Sequence, residues 1–262
     1  MMSGELWDSE TGMCTEIPNM NTDRSGHPSA VAVRRGASHR IYMFGGGYDG
    51  KETLDSCEFL DVGEDQWTLL KAKMSAPRTC ACAVVLDHTT IVICGGSNST
   101  IDSHLASCDS LDLNTNTFSP FPDMLEPRVG HAGVHYNGTV VVLGGGHDEK
   151  TCEQFDPAVS RWTPFAPLPK EDGYTEAVVI GDKIYAVTVS FGSLQIYDGA
   201  AWTVVVEIPR PFMFGPVVAL GGKVVLVSSC GGAADVFDSA TESWSSMDMN
   251  SQLRYEMVAI SF

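Results

Sequence analysis

Four arginines, Arg24, Arg78, Arg128 and Arg254, stand at one position of a recurring pattern in this 262-residue chain. Each follows a methionine (Met20, Met74, Met124 and Met249) by four or five residues. A planar guanidinium grips a carboxylate or phosphate through two parallel hydrogen bonds. The same fork also satisfies backbone carbonyls and acidic neighbours of its own chain, so an outward and an internal reading stand side by side. Other reactive side chains point less far. His27 and His131 each follow an arginine by three residues, which argues for architecture rather than a metal. His131 and His135 lie four apart, about 13 Å along a strand, and do not form a metal pair. The eight cysteines include no CxxC, and Cys80, Cys82 and Cys94 sit in apolar runs where a thiol packs as a small hydrophobe. No Ser-His-Asp, HExxH or phosphate-loop pattern occurs, and the glycine clusters do not open helices, so they are not dinucleotide fingerprints. No catalytic residue, metal site or cofactor is expected.

The elements that carry the arginines repeat with a period of about 40 to 50 residues, as in propeller blades. An apolar run ending in glycines recurs as IYMFGGG at 41–47, IVICGG at 91–96 and VVVLGGG at 140–146. Downstream come Leu60-Asp61, Leu111-Asp112 and Phe155-Asp156, and six residues beyond each Asp an aromatic, Trp67, Phe118 or Trp162. Weaker copies run through Tyr197-Asp198 with Trp202, and through Phe237-Asp238 with Trp244. Each copy reads as four short strands, a to d, bounded by Gly, Asn and Asp turns. No segment has a helical period, so the chain is expected to be all β. The strand-d tryptophans are expected to pack between blades.

The double glycine after strand b, the aromatic-Asp pair ending strand c, the Trp of strand d and the Met-x-x-x-Arg after it together resemble the kelch repeat. The resemblance is strongest over 25–165. It implies a single six-bladed β-propeller over 1–262. Five complete blades are expected at 25–78, 79–128, 129–172, 173–211 and 212–253. A closing blade is expected to take strands c and d from 1–24 and strand a from 254–262, without a strand b; a ring closed by both ends leaves no exposed edge.

In an antiparallel a-b-c-d blade, the b–c and d–a loops share one face. These loops are the long ones, GGGYDGKETLDS at 45–56 and GGSNSTIDSHLAS at 95–107. Long loops on a rigid scaffold are where binding concentrates. The working surface is therefore placed there, with a rim formed by Arg24, Arg78, Arg128, Arg254, Tyr48, Asn98 and His147. By resemblance to kelch propellers of substrate adaptors, that rim binds acidic or polar peptide segments.

Hydrophobic residues make up 44% and charged residues 19%, a folded rather than a disordered composition. The net charge of −17 opposes general nucleic-acid binding. The acidic start MMSGELWDSE is not a signal peptide, and no apolar run is long enough for a membrane helix. The sequons at Asn98 and Asn137 carry no weight for secretion. A cytoplasmic, monomeric protein-interaction scaffold with a protein or peptide partner is the expectation, without nucleic acid or membrane. A role in ubiquitin ligation would need a separate partner or a further segment. The competing class is a sugar isomerase resembling kelch-type sialic-acid epimerases, with Arg78, Arg128, His104, His147 and Glu171 at the channel mouth.

Overall fold

The computed structural model describes residues 4–7, 14–48, 52–99, 101, 103–170, 173–188, 192–208, 215–227 and 233–248. They form a succession of four-stranded antiparallel sheets, with no helix among them. A hairpin comes first, β1 (Gly4–Trp7) and β2 (Cys14–Ile17). Blade 1 follows with β3 (Ser29–Arg35), β4 (Ser38–Phe44), the small b–c hairpin β5 (Gly47–Tyr48) and β6 (Glu52–Thr53), then β7 (Cys57–Asp61) and β8 (Thr68–Leu69). Blade 2 repeats the plan with β9 (Cys82–Asp87), β10 (Thr90–Cys94), the b–c hairpin β11 (Ser97–Asn98) and β12 (Ser103–His104), β13 (Cys108–Asp112) and β14 (Thr117–Phe121). Blade 3 is β15 (Ala132–Tyr136), β16 (Thr139–Leu143), β17 (Cys152–Asp156) and β18 (Arg161–Phe165). Blade 4 is β19 (Thr175–Ile180), β20 (Lys183–Thr188), β21 (Ser193–Tyr197) and β22 (Trp202–Glu207). Blade 5 is β23 (Val217–Leu220), β24 (Lys223–Val227), β25 (Ala233–Asp238) and β26 (Ser243–Asp248).

Among the described residues five complete blades are present, and the expected sixth, split between the two ends, is not formed. The segment expected to start the sixth, 254–262, lies outside the described residues, and Arg254 with it. The β1–β2 hairpin has only two strands. It lies against blade 1, where Leu6, Ile17 and Met20 pack on Ile41, Met43, Leu60 and Trp67.

The second strand of each blade is the most apolar. Ile91, Val92, Ile93 and Cys94 of β10 are all fully buried, as are Val140 to Leu143 of β16. Such a strand is covered on both faces by neighbouring blades, so its apolar run is continuous rather than alternating. The hydrophobic clusters accordingly run between blades: Val31, Tyr42 and Phe44 of blade 1 pack with Ile91, Ile93 and Leu111 of blade 2. The innermost strands β3, β9, β15, β19 and β23 touch in that order and surround a common axis.

Three tryptophans tie their blade to the element before it. Trp162 Nε1 donates to Pro122 O (2.8 Å), just after the last strand of blade 2. Trp202 Nε1 donates to Ala166 O (2.9 Å), just after blade 3. Trp67 Nε1 donates in the same way to Pro18 O (2.8 Å), just after β2. The end of the β1–β2 hairpin therefore meets blade 1 as the outer strand of one blade meets the next.

Candidate functional site

The double glycines mark where linker and loop meet. Gly45 and Gly46 have φ of 59° and 86°, and Gly95 and Gly96 have 63° and 96°. These are left-handed values that glycine adopts without strain. A Cβ at Gly45 would lie 2.1 Å from Arg78 O, so a side chain there would push the linker off the loop.

Three of the four arginines thread this junction. The backbone of Arg78 belongs to blade 1: its N–H donates to Leu54 O (3.1 Å) and its carbonyl accepts from Gly46 N (3.0 Å). Its side chain belongs to blade 2. Nη1 donates to Gly95 O (2.8 Å) and Ser107 O (2.9 Å), and Nη2 donates to Asp109 Oδ2 (2.8 Å). Arg128 is bonded in the same way one blade on, to Gly144 O, Thr151 O and Glu153, with Glu126 added. Arg24 reaches Gly45 O, Ser56 O and Glu58. All three side chains are buried. The expected outward arc is thus not at the surface. The guanidinium closes the b–c junction of the following blade, where it joins two strand-end carbonyls and a carboxylate. Of the two readings open from the sequence, the internal one accounts for every bond these arginines make.

The carboxylates are held as firmly. Asn21 N and Nδ2 donate to Glu58, Ser75 N and Oγ to Asp109, and Leu125 N to Glu153. Each acid thus joins its own strand c to the incoming linker. Breaking such a buried pair by removing one partner costs about 3–5 kcal/mol, because the other charge stays enclosed.

The remaining rim candidates divide. His147 is exposed and its N–H donates to Glu126 (3.4 Å). Asn98 is buried, 5% exposed, within the β11–β12 hairpin. Tyr48 ends β5 of the neighbouring hairpin. Ser99 N donates to Thr53 Oγ1 (3.1 Å), so the two hairpins support each other. Ile101, near the tip of the second hairpin, is 61% exposed. Of the isomerase candidates, His104 is exposed on β12 and Glu171 lies outside the described residues. Arg78 and Arg128 are buried in the junctions just described. Among the described residues no group of three His, Cys, Asp or Glu side chains is arranged to hold a metal.

Around the axis, His27 and His131 are not equivalent, contrary to their equal spacing from arginine. His27, Cys80 and Gly130 share the left-handed region, with φ of 45°, 52° and 67°. They are linked in series: Cys80 N donates to His27 O (3.0 Å), Gly130 N to Cys80 O (3.0 Å) and Thr175 N to Gly130 O (2.9 Å). Blade 1 has one more residue between arginine and this position, which shifts the histidines out of register. His131 is the buried neighbour of Gly130, whereas His27 is exposed at the axis.

Four-stranded blades, paired glycines at the first three b–c loops and a guanidinium closing each of the first three junctions define a kelch-type β-propeller. A sequence profile described as the KLHDC2/KLHL20/DRC7 Kelch-repeats domain matches residues 6–188, and the chain belongs to the kelch-repeat family. Among curated proteins it is similar to spermatocyte protein spe-26 of Caenorhabditis elegans, 25% identical over 61% of this chain and 29% of that protein. It is also similar to Kelch-like protein 38 of Danio rerio, 29% identical over 55% and 24%. Kelch repeat and BTB domain-containing protein 2 of Pongo abelii is 31% identical over 30% and 14%. The chain thus spans well under two thirds of the length of the relatives it matches. No described helix is long and apolar enough to cross a membrane.

Proposed function

We propose that this chain is a non-catalytic protein-interaction propeller that binds a partner protein or peptide on its b–c/d–a face. The observation that carries this reading is the pair of mutually supported hairpins, β5–β6 and β11–β12, raised on that face of a kelch-family scaffold. Folded loops on a rigid frame present side chains at low entropic cost. Tyr48, Asn98 and His147 mark the proposed surface, with the buried arginines acting beneath it as braces. Two relatives carry BTB or F-box in their names, and substrate recognition within such an assembly is the role we assign to this propeller. The β1–β2 hairpin is read as the outer half of a closing sixth blade, and the cytoplasm as the compartment.

The test replaces both hairpins by short Gly-Ser turns and compares partner capture with the wild type. Loss of the captured set at an unchanged melting temperature is expected. An identical set captured by the folded variant would overturn the reading. Arginine substitutions are unsuited to this test, because they would weaken the scaffold itself.

A further inference from the structure

Blade 2 carries a row of facing thiols. Cys94 of β10 pairs in register with Cys82 of β9 on one side and with Cys108 of β13 on the other. Directly opposed residues of an antiparallel sheet project from the same face, so the three thiols share one side of the blade. They lie in one buried cluster with Val84, Val92 and Met124. All three are free. The same row reads Ser29, Phe44 and Cys57 in blade 1, and Ala132, Leu143 and Cys152 in blade 3. A cysteine opening strand c is thus shared by three blades, and among the described residues only blade 2 sets another thiol against it. Gly95 N donates to Ser107 O (3.1 Å), which makes the adjacent Cys94–Cys108 pair a non-hydrogen-bonded one. Such a pair sets its Cα atoms about 4.5 Å apart, inside the span of about 4.4–6.8 Å that a disulfide bridges.

The Cys82 end of the row is the entry point. Cys82 is 7% exposed, whereas Cys94 is fully enclosed. A Cβ at Gly133 would lie 2.5 Å from Cys82 Sγ, so glycine on the facing strand leaves room for the sulfur. His131 stands beside this thiol, buried, and neither of its ring nitrogens has a well-formed hydrogen bond among the described residues. The Cys94 thiol, donating toward Cys82, holds that sulfur well below the ordinary thiol value, with His131 adding to the effect. Burial pushes Cys94 up, so it keeps its proton. Glu176 of blade 4 is a further ionisable neighbour of Cys82.

We infer that the Cys82–Cys94–Cys108 row is an oxidation site for a small hydroperoxide, which converts two of these thiols to a disulfide through Cys94. The Cys82 sulfur attacks one peroxide oxygen. An S–O bond forms, the O–O bond breaks, and the other oxygen leaves as water with the proton of the thiol. The Cys94 sulfur then displaces the sulfenic hydroxyl, which leaves as a second water with the Cys94 proton. Two thiols are oxidised and one peroxide is reduced to two waters. Cys108 can exchange onto Cys94 from the other side and return Cys82 to the thiol. The segment between Cys94 and Cys108 is the β11–β12 hairpin with its flanks, so the exchanged bond clamps the base of that hairpin. The oxidation itself does not rest on the peptide-binding reading.

The test treats the full-length folded chain with hydrogen peroxide, blocks remaining thiols with iodoacetamide and maps linked peptides by mass spectrometry without reduction. A protease cutting before Asp87, Asp102 and Asp109 places Cys82, Cys94 and Cys108 on separate peptides. A reducible link through Cys94 is expected, with Cys57 and Cys152 alkylated. Cys94→Ala should lose the link and leave a sulfenic acid at Cys82 that dimedone traps. Cys82→Ala should slow formation of the link about tenfold. Circular dichroism melts report whether each variant is folded, and the wild-type map decides the question where one is not. Free Cys82 and Cys94 thiols in the folded wild type, at a dose that fully oxidises glutathione in the same tube, would overturn the inference. So would links to Cys57 or Cys152 as frequent as those to Cys94.

Discussion

The junctions into blades 1, 2 and 3 and the junction into blade 4 solve one geometric problem with different chemistry. In the first three, a buried arginine faces a buried acid: Arg24 with Glu58, Arg78 with Asp109, Arg128 with Glu153. At blade 4 the acid's place on strand c, three residues before Asp198, is taken by Gln195, which is fully buried. Its Oε1 accepts from Lys170 N (3.0 Å) and its Nε2 donates to Lys170 O (3.5 Å). The glycine pair is lost at the same blade, and Thr188 and Ser193 hydroxyls bond each other across the strand ends (2.6 Å). Charge is absent from both sides at once. A buried carboxylate is tolerable only with its cation, so the loss of one favours the loss of the other.

The comparison is sharpest under mutation. Arg128→Ala should cost about 3–5 kcal/mol in urea unfolding, since the buried Glu153 loses its cation and Gly144 O and Thr151 O each lose a donor inside the fold. A cost below about 1 kcal/mol would show that water replaces the guanidinium, as only an open rim would allow. Gln195→Glu should cost about 2–3 kcal/mol at neutral pH, because it places an unmatched carboxylate at an arginine-free junction. That penalty should shrink in mild acid. Equal melting temperatures across pH 5–8 would break the distinction between the two kinds of junction. Trp162→Phe should cost about 1 kcal/mol, leaving Pro122 O without its indole donor but keeping most of the packing.

Most of the fold was legible because each recurring residue has a local physical duty. The glycine pairs read directly as positive φ, and the tryptophans as wedges between blades. The partner of the arginines was equally on the page yet went unread: Cys57-Glu58, Cys108-Asp109 and Cys152-Glu153 all open strand c. Its signal is joint change, since Gln195 replaces the acid in the one described blade whose linker has no arginine. The blade count was not legible, because a two-stranded hairpin in sequence looks like half of any blade. Glu176 could not be found by pattern at all. Its neighbour Cys82 belongs to blade 2 and is brought beside it only when the blades converge on the axis.

That convergence also gives the smallest expected effect and the cleanest contrast with the paired acids. The folded Glu176 carboxyl is raised from 4.5 to about 7, so the native state holds a proton that the unfolded chain has released. Stability contributed at this site is therefore lost as pH rises from about 4.5 to about 7 and is level beyond that window. The groups facing it do not reverse this sign. Cys82 raises the carboxyl, and no cation opposes the effect. Glu176→Gln should remove that slope and stabilise the protein at pH 8 by about 1 kcal/mol, the full shift being discounted because solvent reaches the carboxyl. Subtracting variant from wild-type unfolding curves between pH 4 and 8 isolates the effect from the other carboxylates. A difference that is flat across this range would mean that solvent holds the carboxyl at its ordinary value, and one that rises with pH would mean that Glu176 already has a cation within the molecule. Glu176 would then resemble the acids of the first three junctions rather than stand apart from them.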